Sequence, residues 1–189
     1  MSEAVSVLAG ASFAGAVDVS DAGLRGMITL RGDLADENLA AAVKSVVGLT
    51  LPGPRAIKEG QKGAVAWMSP DELLLMVDYQ AADAAVEKLH KALADTHALA
   101  VNVSDARAVF QLTGAGVREV IAKGAPVDMS ADGLKPGEIR RTRIGQLAAA
   151  FWLTDETTLT VICFRSVGGY MYQWLCTAAA KDSLPGFIS

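Results

Sequence analysis

A chain of 189 residues can form one compact domain or two small fused units. It is 51% apolar and 20% charged, the balance of a globular protein. Lys and Arg number 17 against 21 Asp and Glu, a net charge of -4, which excludes the basic footprint of a nucleic-acid binder or of a protein held to an anionic membrane.

The first 24 residues contain no Lys or Arg, so neither a secretory n-region nor a transit peptide is written there, and a cytoplasmic location is expected. This stretch is rich in small residues and carries no helical stripe. It reads as an extended N-terminal arm, 1–24, lying on its own domain or reaching a partner. From Met27 strand and helix signals alternate. Met27 to Arg31 reads as a short strand, and Asp33 to Glu37 supplies an acidic first turn for a helix. That helix carries Leu39, Ala42, Val43, Val46 and Val47 on one stripe and stops at Gly48. Two apolar runs, Ala64 to Met68 and Glu72 to Val77, flank Ser69-Pro70-Asp71 and predict a β-hairpin. A second amphipathic helix follows over 81–95, with Ala82, Val86, Leu89 and Leu93 on one face, and then a strand at Leu99 to Val103.

The order strand, helix, strand, strand, helix, strand is the ferredoxin-like βαββαβ pattern. A second pass begins at Ala106, where apolar and polar residues alternate through Thr113. Val117, Val120 and Ile121 mark a short helix closed by Gly124 and Pro126. After a loop over 128–137 come two strands, near Arg141 to Trp152 and Thr158 to Arg165. A last helix carries Val167, Met171, Trp174, Leu175 and Ala178, with Tyr172 and Gln173 pointing elsewhere. The longest unbroken apolar run, Leu147 to Leu153, falls far short of the roughly 18 residues of a membrane span. The expected fold is therefore α+β: two tandem ferredoxin-like halves, about 25–104 and 105–189, forming a single domain over 25–189, with antiparallel sheets that carry helices on one face and bury against each other or their helices.

The stretch Gln111 to Gly124 places Gly114-Ala-Gly116 between a strand and a helix, the position of a phosphate-binding turn. The third glycine of G-x-G-x-x-G is replaced by Glu119, whose carboxylate occupies the positive helix end that a phosphate would use, and no Gly-Lys-Ser/Thr follows. The turn reads as a hinge. Cys163 lies in the apolar run Thr158 to Phe164 and Cys176 in the last predicted helix, with no Cys-x-x-Cys spacing, and both read as small buried hydrophobes. His90 and His97 belong to no ligand cluster and are expected in solvent, so no metal site is expected. Ser69 and Ser104 read as turn or cap residues rather than nucleophiles. Trp67, Trp152, Trp174, Tyr170 and Tyr172 are core or interface anchors. Asp71 and Glu72 head the second hairpin strand, where a solvated turn accounts for them. In Glu138 to Arg143 strand spacing puts Arg141 and Arg143 on one face. That pair could clamp a carboxylate, and a solvated edge resisting misassembly explains it equally well.

The blocks Asn102 to Arg107, Leu112-Thr-Gly114 and Val120 to Asp128 resemble the gamma subunit family of heterotetrameric sarcosine oxidase. The likeness extends upstream to Trp67 to Leu75 and downstream to Arg141-Thr142, Arg165-Ser166, Tyr170, Trp174 and Leu175. It leaves the arm uncovered. The resemblance implies a truncated relative of the folate-binding aminomethyltransferase fold, in which an acidic pair heads the second hairpin strand, where Asp71 and Glu72 stand here. A vestigial folate or amine contact would then use Asp71, Glu72, Arg141 and Arg143. The transferases' C-terminal extension has no counterpart, so aminomethyl transfer is not expected of this chain. The implied role is non-catalytic, in a complex with alpha, beta and delta subunits. That complex converts sarcosine to glycine with hydrogen peroxide and 5,10-methylenetetrahydrofolate, using FAD, FMN, NAD and tetrahydrofolate on the other subunits. The implied contribution of this chain is to brace the large subunit. The alternative is a stand-alone folate- or amine-binding aminomethyltransferase-like protein.

Overall fold

The computed structural model describes residues 3–188. The chain forms β1 (Ser12–Phe13), β2 (Asp18–Asp21), β3 (Gly26–Gly32), α1 (Glu37–Val47), β4 (Ile57–Gly60), β5 (Gly63–Ser69), β6 (Glu72–Val77), α2 (Ala82–Ala92) and β7 (Ala98–Asn102). It continues with β8 (Arg107–Thr113), α3 (Val117–Ala122), β9 (Ile139–Ile144), β10 (Leu147–Asp155), β11 (Thr158–Phe164) and α4 (Gly168–Ala178). It divides into two compact units, one of Arg25–Ser104 and the other built from the chain up to Leu24 and from Asp105 onward.

The unit over 25–104 is a five-stranded antiparallel sheet in the order β4-β5-β6-β3-β7. Without its added edge strand β4, it is the ferredoxin-like arrangement. The α1 helix starts where the Asp36 carboxylate accepts from the Asn38 backbone N–H at 2.7 Å, and it ends where Gly48 turns left-handed at φ 76°. Leu39, Ala42, Val43 and Val47 of α1 and Ala82 and Leu89 of α2 share one core with Ile28, Leu30, Val65, Leu73 and Leu75 of the sheet, so both helices cover the same face. β4 is an addition to the predicted set: Ile57-Lys-Glu-Gly60 carries too little apolar signal to read as a strand, and pairing with β5 makes it one.

The other unit is a six-stranded sheet in the order β1-β2-β8-β11-β10-β9. The arm supplies its β1 and β2. Strand β2 pairs antiparallel with β8, Asp18 opposite Thr113 and Asp21 opposite Phe110, and so fills the place of the fourth ferredoxin-like strand. Val17 and Val19 enter the core with Phe110, Leu112, Val120, Phe151, Met171 and Leu175. The predicted strand from Arg141 to Trp152 is in fact two. Gly145, at φ 59°, and Gln146 turn the chain between β9 and β10, and Ile144 pairs with Leu147 across the turn. Tyr172 also departs from expectation. It lies half-buried at the flank of the α4 stripe, its ring centroid 6.0 Å from that of Phe110. No helix among the described residues is long and apolar enough to cross a membrane.

Candidate functional site

The tight turn Pro70-Asp71 puts Glu72 at the first position of β6, directly opposite Arg31 of β3. Nη2 of Arg31 lies 3.2 Å from Oε2 of Glu72 and 3.8 Å from Oδ2 of Asp71. Glu72 is buried at 6% exposure, whereas Asp71 stays open to solvent. Asp71 is further fixed by the Ser69 hydroxyl, which donates to Oδ1 at 2.6 Å, and its carbonyl accepts from the Gly32 N–H at 3.1 Å. The acidic pair is therefore a turn lock: one guanidinium balances two carboxylates and ties the hairpin head to the neighbouring strand. An amine arriving here would compete with Arg31.

Arg141 and Arg143 lie exposed on β9, the edge strand, on the same side, opposite the small side chains of Ala150 and Ala148. Their neighbour Arg140 points to the other side, where its guanidinium donates to Gly133 O at 2.7 Å and to Glu138 at 2.8 Å. Asp71 and Glu72 thus belong to the unit over 25–104, and the arginine pair belongs to the other.

The Gly114-Ala-Gly116 turn is covered by the chain's own tail. A Cβ on Gly116 would come within 2.4 Å of Leu184 Cδ1. Glu119, 4% exposed, accepts from the N–H groups of Gly186 at 2.9 Å and Ile188 at 2.8 Å. Those bonds from Ile188 and Gly186 hold its carboxyl below the ordinary range; burial opposes them, and Lys123 assists.

Two further buried charges escaped the sequence reading. Arg118 donates to the carbonyls of Met129, Ser130 and Leu134 at 3.1, 3.1 and 2.7 Å and pairs with Glu156 at 2.6 Å, which shapes the loop after α3. Asp21 accepts from the Ser6 hydroxyl at 2.6 Å and from the N–H groups of Leu8, Gly10 and Gly23. Burial pushes its carboxyl up, but these four hydrogen bonds outweigh burial and the net direction is down. Neither had a sequence signal, because most of their partners are backbone groups of irregular segments.

The thiols are poor nucleophiles here: burial pushes Cys163 up to about 11 and also raises Cys176. His90 hydrogen-bonds the Ala100 carbonyl at 2.9 Å, a fixed partner that spacing alone did not predict. Among the described residues no three His, Cys, Asp or Glu gather as a metal site. A cleft of about 620 Å³ opens on α4, lined by Lys123, Tyr170, Gln173, Trp174, Thr177 and Ser183. The Lys123 ammonium at its edge donates to Ala178 O and, at 3.0 Å, to the Ser183 hydroxyl.

Two antiparallel sheets of ferredoxin-like order in one chain, each with its helices on one face, define a class: the tandem α+β fold of the aminomethyltransferases. Aminomethyltransferase T of the glycine cleavage system from Bartonella henselae superposes with a TM-score of 0.60 at 13% identity, over 83% of this chain and 45% of that one. A structure of heterotetrameric sarcosine oxidase from Corynebacterium sp. U-96 superposes with a TM-score of 0.80 at 23% identity, over 89% of this chain and 87% of that one. The model of the sarcosine oxidase, gamma subunit family matches residues 31–181, and the chain belongs to that family. The sarcosine oxidase subunit gamma of Corynebacterium sp. (strain U-96) is 26% identical over 145 residues, 76% of this chain and 70% of its own length. That of strain P-1 is 27% identical over 143 residues, 75% of this chain and 70% of its own.

Proposed function

We propose that this chain is the non-catalytic gamma subunit of a heterotetrameric sarcosine oxidase, assembled in the cytoplasm with alpha, beta and delta subunits. The complex would oxidise sarcosine to glycine with release of hydrogen peroxide and formation of 5,10-methylenetetrahydrofolate. Its FAD, FMN, NAD and tetrahydrofolate would lie on the other subunits. The contribution of this chain is to brace the large subunit during assembly. The observation that carries this reading is the family match over 31–181. The commitment of the chemically capable groups supports it: Glu72 to Arg31, Glu119 to the tail, Asp21 to the arm, and the thiols to burial. The test is co-expression with the other three subunits. The full set is expected to purify together and produce peroxide from sarcosine, and omission of this chain is expected to lower the yield of assembled complex. An isolated chain that turns over an aminomethyl donor would overturn the reading.

A second reading, a stand-alone folate- or amine-binding protein, is favoured by Asp71 and Glu72 at the head of the hairpin and by the likeness to aminomethyltransferase T. It would use Arg141 and Arg143 for the folate carboxylates. Calorimetric titration of the isolated chain with tetrahydrofolate separates the two. Saturable binding that is lost in an Arg141→Ala, Arg143→Ala double variant supports this alternative.

A further inference from the structure

We infer that the C-terminal tail is a docking anchor, holding the Phe187 ring away from its own domain for insertion into an apolar pocket of a non-identical subunit. This rests on the assembly reading proposed above. Phe187 is 89% exposed, while its neighbours on both sides are fixed. The two oxygens of the buried Glu119 carboxylate take the N–H groups of Gly186 and Ile188, so the backbone is pinned immediately before and after the ring. Gly186 adopts a left-handed φ of 75°, a conformation that side-chain-bearing residues avoid. Further back, Lys123 grips Ser183, and Leu184 packs against the core beside Gly116. Residues 184, 186 and 188 are therefore spent on the domain, and the residue between the last two is turned outward.

A flexible tail would lose conformational freedom on binding a partner; here that cost has already been met in the free chain, which is the physical content of preorganisation. An aromatic ring presented in this way is the side-chain type that dominates interface energetics. The tail also leaves the α4 cleft directly, because Ser183 belongs to both. Phe187 follows four residues later, within about 14 Å even in an extended chain. Tyr170, 58% exposed, and Trp174 line that cleft. The occupant that fits is a protein surface offering a benzyl-sized apolar pocket. The heterotetrameric assembly in which a relative is found makes it a different subunit rather than a second copy.

The test uses the tagged chain co-expressed with the other sarcosine oxidase subunits of the same source, with the dissociation constant of the purified complex measured for wild type, Phe187→Ala and Phe187→Leu. Phe187→Ala is expected to weaken assembly roughly 30-fold, the effect of losing an interface hot spot, while Phe187→Leu, which keeps much of the apolar bulk, stays within about threefold. The melting temperature of each free variant is expected to match wild type, since the ring leaves no core vacancy. Wild-type chain that captures none of the named subunits overturns the assembly reading itself, and this inference with it. Wild-type capture with Phe187→Ala binding within about twofold overturns this inference alone. Sedimentation showing that the free wild-type chain self-associates and that Phe187→Ala abolishes this would also overturn it, by making a second copy the occupant.

Discussion

The two units place equivalent strands in equivalent positions, but one strand of each set is drawn from a different point in the sequence order. Going inward from the added edge strand, β4 and β9 correspond, then β5 and β10, β6 and β11, β3 and β8, and finally β7 and β2. β7 is the last strand of its own unit in sequence, whereas β2 comes before β8 to β11 of the other unit and pairs with β8. A strand's place in a sheet is thus decided by register and by which side chains it can bury, not by its turn in the chain. The borrowed strand also needs more fastening. Val17 and Val19 are 1% exposed, and Asp21 gathers four hydrogen bonds from the arm and the turn that follows it. β7 offers Ala100 and the partly buried Ala98 to its core and leaves Val101 40% exposed.

The largest test of this contrast is a carboxylate on each fourth strand. Val19→Asp is expected to cost at least about 3 kcal/mol, enough to abolish cooperative folding of its unit, whereas Val101→Asp is expected to change stability by under about 1 kcal/mol. Urea unfolding of both variants checks this, with amide exchange in β8 as the local reporter. Next comes Arg118→Leu, which strands two buried carbonyls and a partly buried one and is expected to cost about 3 kcal/mol in the same assay.

Asp21→Asn is expected to cost about 1–2 kcal/mol at neutral pH. Because the folded carboxyl titrates lower than the unfolded one, its stabilisation is complete above the ordinary value of about 3.9 and is lost as pH falls through the lower folded value. Wild-type melting temperature should therefore drop in acid, and the drop should be smaller in Asp21→Asn. Glu119, Asp128 and Asp155 are lowered too, by backbone N–H groups of Ile188, Ser130 and Thr157, and they lie in the same unit as Asp21. Acid is accordingly expected to loosen that unit first, visible as early loss of amide protection in β8 and β11. The smallest effect belongs to Glu72→Gln. Arg31 is half-exposed, so the loss is expected to be about 1 kcal/mol or less and to shrink with added salt.

The elements with strong local signals could be read directly. The hairpin around Pro70-Asp71, the capped and striped α1, and the Gly124 stop after α3 all lie where pattern and turn chemistry put them. β2 could not, because Asp-Val-Ser-Asp carries a single large apolar residue and becomes a strand only through β8, far along the chain. The β9 and β10 strands merged into one because both flanks of Gly145-Gln146 are rich in strand formers. At the candidate site, position was legible and partnership was not. Asp71 and Glu72 were found at the hairpin head, but Arg31 reaches them only through the β3–β6 register. Arg118 gave no cue at all, since three of its four partners are carbonyls of an irregular loop.

The borrowed strand has a consequence during synthesis. At about 5–20 residues per second the partner of Asp18 leaves the ribosome roughly 5–20 s after Asp18 itself. Throughout that interval the arm has no sheet to join, and everything needed for the β3–β7 sheet emerges first. The arm, though made before β3 to β11, is consequently among the last segments to find its place.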